Sequence, residues 1–391
     1  MQTRQNHELN VRIQIDPARS ISTIRRWRSG SCGMLQHDFL RMAVPHRLES
    51  QGSKQTHLRR MAAGSMLVRI AADRVEVQAP AKINLFLEIL AKRTDGFHEI
   101  ETLMSPIGLY DSLLFQATDS PEIRLDCRWG AGLAAMRGGR EPLASRSQPD
   151  GKSMTPKTPD PVRDAFGDLP PPEKNIVFKA ASLLQQRSGC GRGAEIRLLK
   201  RIPSAAGLGG ASSDAAAVLV AANLGWQVSW SDDRLAELAA ELGSDIPFFL
   251  GSGSAICRGR GERIEATRPI HLHVVVVRPP VGLSTPQVYQ GCRPASTPSS
   301  VSNLQSALGR GNWNEVKSGL VNRLEEPAAQ LTSWIGRLRK EFEDAGCIAQ
   351  QMSGSGSSYF GICENSRHAR CVAGRLRSKR VGMVMATSTI G

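Results

Sequence analysis

Aromatic residues are scarce in this chain of 391 residues, where they make up 5% of all positions. Proteins that bind single-stranded RNA commonly stack bases on several aromatic side chains, so the scarcity argues against a nucleic-acid partner. The formal net charge of +14 points to an anionic partner without distinguishing RNA from a phosphorylated small molecule. We therefore expect a small-molecule substrate and no nucleic acid.

Cysteine pairs, long apolar segments and one common nucleotide motif are also missing. None of the eight cysteines forms a Cys-x-x-Cys pair, and no histidine follows at zinc-ligand spacing, so we expect reduced thiols. No stretch approaches the roughly 18 to 20 apolar residues of a membrane span. These absences favour a cytoplasmic protein with no membrane partner. The chain also lacks Gly-x-x-x-x-Gly-Lys-Ser/Thr, so it has no P-loop of that type.

Two segments have compositions that are unsuited to a packed core. Residues 1–65 carry eleven lysines and arginines against four acidic residues and have no sustained periodicity, which predicts a disordered basic extension. Two alternatives stay open: a plastid transit peptide, or an extension that precedes a true translation start at Met66. Residues 130–172 contain eight prolines and six glycines, which predicts a disordered surface insertion.

The remaining sequence mixes strand and helix patterns. Residues 75–89 predict two strands that are separated by a break at Pro80, and alternation places Lys82 and Asn84 on one exposed face. An apolar stripe predicts a helix that begins near residue 176 and ends near Gly189. Because strands and helices do not alternate strictly, the pattern predicts an α+β fold rather than a doubly wound sheet.

The strongest motif is a Gly-rich loop that lies between a predicted strand and an Ala-rich helix. Glycine permits close backbone approach and positive φ, and the unpaired N–H groups at a helix start can bind phosphate. Ser212 or Ser213 could cap the helix. The plainer alternative is an ordinary strand-to-helix turn. The proposed ATP-binding residues are Pro203, Ser204, Ala205, Ala206, Gly207, Leu208, Gly209, Gly210, Ala211, Ser212 and Ser213.

This loop, PSAAGLGGASSD at residues 203–214, resembles the second signature of the GHMP kinase superfamily. The first signature is similar to PAKINL at 80–85, and the third to SGSGSS at 353–358. Within the superfamily, residues 92–100 resemble the diphosphocytidyl-methylerythritol kinases, although Phe97 stands where that family usually has tyrosine. Three motifs in the right order are far more specific than one.

The resemblance implies a two-domain GHMP kinase fold. The expected domains are an ATP-binding, ribosomal-protein-like N-terminal domain at residues 66–255, with a left-handed βαβ unit, and a ferredoxin-like C-terminal domain at 256–391. The implied reaction is transfer of the γ-phosphoryl group of ATP to the 2-hydroxyl of a cytidyl diphosphate substrate. Mg²⁺ is expected to accompany ATP, because the phosphate oxygens must be neutralised during transfer.

The resemblance also implies roles for individual residues. Asp245 would act as the general base, and Lys82 would orient the substrate hydroxyl and Asp245. The plainer alternatives are that Asp245 caps the next helix and that Lys82 is a solvated strand lysine. Asn175 is expected to contact ATP, and Ser213 is the candidate Mg²⁺ ligand. The candidate substrate-binding residues are Asn84, Phe97, His98, Thr285, Tyr289, Gly354 and Gly356, of which Phe97, His98 and Tyr289 would hold the nucleobase. Nothing in the sequence indicates the oligomeric state.

Overall fold

Thirteen strands and ten α-helices are present in the part of the chain that the computed structural model describes, residues 59–63, 65–71, 73–130 and 169–390. The strands are β1 (Arg59–Ala63), β2 (Met66–Ala71), β3 (Arg74–Lys92), β4 (His98–Thr118), β5 (Ile123–Trp129), β6 (Gly193–Lys200), β7 (Ala255–Gly259), β8 (Arg263–Ala266), β9 (His273–Arg278), β10 (Val321–Asn322), β11 (Ala349–Met352), β12 (Tyr359–Cys363) and β13 (Met383–Ser388). The helices are α1 (Ile176–Ser188), α2 (Gly210–Gly225), α3 (Asp232–Leu242), α4 (Ile246–Leu250), α5 (Thr285–Gln290), α6 (Val301–Arg310), α7 (Trp313–Gly319), α8 (Glu325–Leu331), α9 (Trp334–Asp344) and α10 (Ser366–Ser378).

The first sheet has the order β1-β2-β3-β4-β6-β5, with β7 and β10 pairing to β4 and β3 and β8 pairing to β7. Its centre is the antiparallel pair of β3 and β4, two strands of 19 and 21 residues. The predicted break at Pro80 is a register shift inside β3, and a second shift follows Asn84. Because such irregularities bend a strand and re-aim its side chains, the simple alternation predicted for this segment fails beyond Asn84.

Helix α2 packs against this sheet and is buried along most of its length, as its Ala-rich sequence allows. Helix α1 lies between the parallel strands β5 and β6 in the chain and buries Val177, Ala180, Ala181 and Leu184. It ends at Gly189, which has a φ of 68°, at the position that the sequence predicts. The left-handed crossover that the resemblance implies stays a prediction.

The second sheet is antiparallel throughout and has the order β11-β12-β9-β13. Helices lie between its first and second strands in the chain and between its third and fourth. This connectivity is the β-α-β-β-α-β pattern of a ferredoxin-like unit, with its central strand β9 formed by the apolar run that begins at His273. The α+β prediction is confirmed.

Two predicted boundaries change. Strand β1 lies within the extension predicted to be disordered. Its five residues pair antiparallel with β2, so this part of the extension is ordered as a strand. The predicted insertion at 130–172 ends in a short 3-10 helix, Pro172–Lys174. Of these two segments, residues 1–58, 64 and 131–168 lie outside the described residues. The domain division at residue 255 stays a prediction, and β7 and β8 continue the first sheet as far as Ala266.

In the described ranges, none of the helices has both the length and the apolar character that are needed to cross a membrane.

Candidate active site

A cavity of about 990 Å³ gathers most of the residues that the sequence singles out. It is walled by strand β3, by the loop between β6 and α2, and by the loop between β11 and β12. Every predicted site residue lines this cavity except Ser213. Small-molecule pockets commonly measure about 300 to 1,000 Å³, so this cavity has room for a large ligand or for two ligands.

Lys82 and Asp245 form an ion pair in the cavity wall, with 3.5 Å between Nζ and Oδ2. The Lys82 side chain is 4% exposed and that of Asp245 is 38% exposed. The prediction of an exposed strand face at Lys82 is therefore wrong, because the Gly-rich loop covers it: the Lys82 N–H donates to the Leu208 carbonyl. Asp245 occupies the N-cap position of α4, but its carboxylate makes no capping hydrogen bond.

Asn84 is a second partner of the Lys82 ammonium group. Lys82 Nζ donates to Asn84 Oδ1 at 2.6 Å, and Asn84 Nδ2 donates to Thr102 Oγ1 at 2.8 Å. The Thr102 hydroxyl in turn donates to the Phe86 carbonyl at 2.6 Å. All three side chains are buried, so their hydrogen bonds fix one orientation of the lysine. Thr102 lies on β4, across from β3, and no pattern in the sequence indicates this role.

The first Gly-rich loop ends where α2 begins, at Gly210, with Gly209 at the N-cap and a φ of 69°. The predicted caps at Ser212 and Ser213 are therefore wrong, because both residues already lie inside the helix. A Cβ atom at Gly209 would lie 2.8 Å from Phe249 and 3.0 Å from Lys82 Cγ. Glycine at this position lets the loop lie directly against Lys82.

The second Gly-rich loop, residues 353–358, packs against the first. Ser353 Oγ donates to the Gly207 carbonyl at 2.9 Å, and the Ser358 N–H donates to the Ala206 carbonyl at 3.1 Å. A Cβ atom at Gly354 would lie 3.2 Å from Asn84 Oδ1 and 3.4 Å from Lys82 Nζ. Loops from distant parts of the sequence therefore meet around Lys82.

Aromatic side chains also line the cavity. The rings of His98 and Tyr289 are tilted by 41°, with centroids 5.3 Å apart, while Phe97 is 50% exposed. Burial lowers the pKa of His98, and the charge of Lys92 lowers it further. Burial also raises the pKa of Tyr289, and the charge of Asp245 adds to this effect. Both side chains are therefore expected to be uncharged at neutral pH.

Thr285 and Asn175 also line the cavity, but the side chain of each is bonded to protein. Thr285 Oγ1 lies 2.8 Å from Ser355 Oγ, which ties α5 to the second Gly-rich loop. Asn175 Oδ1 accepts from the Val177 N–H at 3.0 Å and caps α1. The side-chain oxygen of Asn175 therefore already has a partner within the protein. Contact of Asn175 with ATP stays a prediction.

A buried charge cluster beneath the first loop has no counterpart among the predicted site residues. The Lys200 ammonium group contacts carboxylates of Asp111 and Asp214. Burial alone would lower the pKa of Lys200, but the two carboxylates raise it above its usual value. Burial raises the pKa of Asp214, and Asp111 adds to this rise although Lys200 opposes it. Lys200 stands at the end of β6, so the cluster anchors the start of the loop. Two sequence signals for it are the lysine shortly before the motif and Asp214, the last residue of the motif.

The described residues contain no group of three or more histidine, cysteine, aspartate or glutamate side chains that could hold a metal ion. The Ser213 Oγ atom is buried and has no hydrogen-bond partner in the described part of the chain. A metal at this site would therefore depend on ligand oxygens and water, with few protein ligands.

Two family models match the chain. The description GHMP kinases N terminal domain matches residues 175–255, and GHMP kinases C terminal matches residues 304–381. A curated 4-diphosphocytidyl-2-C-methyl-D-erythritol kinase of Pelotomaculum thermopropionicum is 38% identical over 302 residues, which are 76% of this chain and 92% of the relative. Another kinase of the same description, of Rhodopirellula baltica, is 37% identical over 317 residues, which are 76% of this chain and 90% of the relative.

Solved structures give the same result for the fold. A crystal structure described as 4-(cytidine 5'-diphospho)-2C-methyl-D-erythritol kinase has a TM-score of 0.62 and 33% identity, covering 81% of this chain and 99% of that one. The mevalonate kinase of L. major has a TM-score of 0.55 at 14% identity, covering 86% of this chain and 98% of the other, which supports the fold alone.

Proposed function

This chain belongs to the GHMP kinases and, within them, to the 4-diphosphocytidyl-2-C-methyl-D-erythritol kinase family, and we propose that Lys82 and Asp245 carry out its phosphoryl transfer. It is an ATP-dependent small-molecule kinase. The reaction moves the γ-phosphoryl group of ATP to the 2-hydroxyl of 4-diphosphocytidyl-2-C-methyl-D-erythritol and gives the 2-phosphate and ADP. The step belongs to the methylerythritol phosphate route to isoprenoid precursors.

Asp245 accepts the proton of the substrate hydroxyl as that oxygen attacks the γ-phosphorus of ATP. The bond between the γ-phosphorus and the bridging oxygen then breaks, and ADP leaves. Lys82 lies 3.5 Å from the Asp245 carboxylate and is fixed by Asn84, so its positive charge is already in position before charge develops on the transferred group. A charge that does not need to reorganise stabilises the transition state more effectively than a mobile one.

The first Gly-rich loop and the start of α2 bind the phosphates of ATP. The N–H groups of Gly210, Ala211 and Ser212 belong to the first turn of α2, where the helix dipole favours an anion. Mg²⁺ supplies charge neutralisation of the phosphate oxygens when it is bound. Ser213 on the same turn is the candidate protein ligand: its hydroxyl has no hydrogen-bond partner among the described residues, but it is fully buried and does not line the cavity. Mg²⁺ usually keeps several waters and needs few such ligands.

The far end of the cavity binds the cytosine base. Tyr289 and Phe97 offer ring faces for stacking, and His98 reads the hydrogen-bonding edge of the base. Phe97 retains the aromatic face of the tyrosine usual in the family. Gly354 and Gly356 line the part of the cavity where we propose that the substrate binds, and the absence of a Cβ atom at Gly354 lets the second loop lie close to Asn84 and Lys82. We propose that this small-molecule substrate is the binding partner of the protein and that the enzyme acts in the cytoplasm.

The observation that carries this proposal is the Lys82–Asp245 pair, which lies in one cavity with both Gly-rich loops and the His98–Tyr289 pair. The test is ATP-dependent ADP release with three acceptors: 4-diphosphocytidyl-2-C-methyl-D-erythritol, mevalonate and homoserine. We expect efficient turnover with the cytidyl acceptor alone. Efficient turnover of mevalonate or homoserine would contradict the substrate assignment and leave the GHMP kinase assignment intact.

A truncation separates kinase activity from RNA binding by the basic extension. Removal of residues 1–58 leaves β1 in place. We expect turnover to survive this truncation. Loss of turnover, with RNA binding lost in parallel, would contradict the proposal that a small molecule is the partner.

A further inference from the structure

One arginine lines the active-site cavity without a role in the reaction so far described. Arg260 occupies the turn between β7 and β8, where Gly259 and Gly261 both have positive φ, at 76° and 118°. Its guanidinium carbon lies 4.9 Å from the centroid of the Phe97 ring, and the residue is half-buried. A cation above an aromatic face is held by the ring, but this contact leaves its N–H donors free.

The other arginines around this wall are committed to carboxylates. Arg93 donates to Asp95 and Glu99, Arg258 to Glu101 and Glu265, and Arg263 to Glu99. The Arg260 guanidinium donates to no carboxylate among the described residues. Its nearest acid is Glu262, with 4.0 Å between Nε and Oε2, and that carboxylate already accepts the backbone N–H of Arg260 at 2.6 Å. Arg260 therefore offers unused donors to the cavity.

The turn that carries Arg260 lies between the two ends of the active site. On one side the guanidinium contacts Phe97, which belongs to the base-binding end. On the other side, a Cβ atom at Gly261 would lie 3.6 Å from Asp245 Oδ1. In the proposed substrate, the part between the base and the reacting hydroxyl contains a diphosphate. The turn therefore lies next to Phe97, where the base is proposed to bind, and next to Asp245, where the hydroxyl reacts. The diphosphate of the substrate has to span the distance between these two residues.

We propose that Arg260 binds the diphosphate of the cytidyl substrate and so selects nucleoside diphosphates over nucleosides. The inference rests on the proposed function, since it assumes a cytidyl diphosphate acceptor. The planar guanidinium can donate two parallel hydrogen bonds to phosphate oxygens, which gives geometric selectivity as well as charge. In the free enzyme, the Phe97 ring keeps this group near the cavity.

Besides Lys82 and Lys200, which are paired with carboxylates, two lysines offer a competing source of positive charge in the same cavity. Lys92 and Lys174 both line it, and Lys92 lies close enough to His98 to lower its pKa. Lysine binds phosphate as a point charge without the planar fork of arginine. If bulk charge at the cavity mouth were sufficient, loss of Lys92 would weaken diphosphate binding as much as loss of Arg260.

The experiment measures equilibrium binding of CDP and cytidine to the full chain in the absence of ATP. The variants are Arg260→Met, Arg260→Lys and Lys92→Met, with Arg263→Met as the matched control, since Arg263 does not line the cavity. The wild type should bind CDP more tightly than cytidine. Arg260→Met should weaken CDP binding by about 10- to 100-fold, the usual range for hydrogen bonds to a charged group, and leave cytidine binding unchanged. Arg260→Lys should recover part of the loss, and Arg263→Met should match the wild type.

Three outcomes would overturn the inference. Equal losses for CDP and cytidine in Arg260→Met would mean that Arg260 only supports Phe97. A wild-type affinity for CDP in that variant would mean that Arg260 does not contact the diphosphate. A loss in Lys92→Met as large as that in Arg260→Met would mean that bulk charge is sufficient. Failure of the proposed function looks different: the wild type would then bind neither ligand and release no ADP with the cytidyl acceptor.

Discussion

The two ends of the active-site cavity are built differently. At the transfer end, Lys82 and Asn84 are buried, hydrogen-bonded to each other and covered by two Gly-rich loops. At the base end, Phe97 is half-exposed, and His98 and Tyr289 contact each other through tilted rings rather than hydrogen bonds. The transfer end is fixed before the substrates arrive, whereas the base end presents surfaces for stacking.

This difference follows from what each end must do. Stabilising a transition state requires charges that are already oriented, and a buried hydrogen-bonded network supplies them. Holding a base requires apolar ring faces and one group that reads its edge, and these can lie in a partly open site. Changes at the transfer end should therefore alter kcat, and changes at the base end should alter KM.

The largest expected effect is at Asp245. Asp245→Asn removes the proton acceptor while keeping the shape of the side chain, so kcat should fall by about 10² to 10⁴, with ATP affinity near normal. Steady-state ADP release and ATP titration measure the two quantities. Asp232→Asn, at an exposed position on α3, is the matched control and should retain wild-type kcat. A near wild-type kcat in Asp245→Asn would exclude Asp245 as the base.

Lys82 is expected to come next. Lys82→Ala removes a preorganised charge and should lower kcat by roughly 10² to 10³, the range found for loss of one such electrostatic group. Lys82→Arg should not restore kcat, because the guanidinium is too large and flat for a site built around one ammonium group and Asn84 Oδ1. Full recovery of kcat in Lys82→Arg would mean that only net charge matters here.

Changes at the base end should be smaller and of a different kind. Tyr289→Ala should weaken binding of the cytidyl substrate by about 1 to 3 kcal/mol, seen as a raised KM with the preference between bases unchanged.

His98→Ala should instead reduce the difference in KM between cytidyl and uridyl analogues, because the group that hydrogen-bonds to the edge of the base gives the selectivity. Equal base selectivity in His98→Ala and the wild type would contradict the role of His98.

Gly209 tests how closely the first loop must lie against Lys82. Gly209→Ala adds a Cβ atom 2.8 Å from Phe249 at a φ of 69°, so it should cost roughly 1 to 3 kcal/mol of unfolding free energy and also reduce kcat. Thermal melting and ADP release measure both. The control is Gly336→Ala on α9, where nothing lies within 4 Å of the added atom and melting should be unchanged or slightly raised. A Gly209→Ala variant as stable and active as the wild type would mean that the loop can move away.

The smallest effect concerns pH. Burial lowers the pKa of His98 below its usual value of 6.5, so as pH falls the unfolded chain takes up a proton before the folded protein does. Relative to His98→Asn, the wild type should therefore have its full stability above pH 6.5 and lose stability as pH falls through the lowered pKa. Chemical denaturation of both proteins between pH 8 and pH 5 measures the difference. A difference that stays constant across this range would contradict the lowered pKa.

Much of the catalytic machinery could be predicted from local sequence. The three signature motifs, the start of α1 and the end of that helix at Gly189 depend on residues that are neighbours in the chain, so spacing and residue type are sufficient to find them. The resemblance carried by those motifs indicated Lys82 and Asp245. Prediction failed where a long-range contact overrode a local rule. Lys82 is buried because the first Gly-rich loop, distant in sequence, packs against it. Helix α2 is capped by Gly209 and not by Ser212 or Ser213.

The sequence by itself therefore determined which residues can bind phosphate, accept a proton and stack on a base, because these capacities belong to single side chains and short motifs. The tertiary structure alone decided which of them act together. The Thr102 hydroxyl that completes the Lys82–Asn84 network comes from the neighbouring strand, and the Arg260 guanidinium beside Phe97 comes from a turn far along the chain. Such partners are set by strand register and loop packing, which depend on the whole core and leave no pattern in the local sequence.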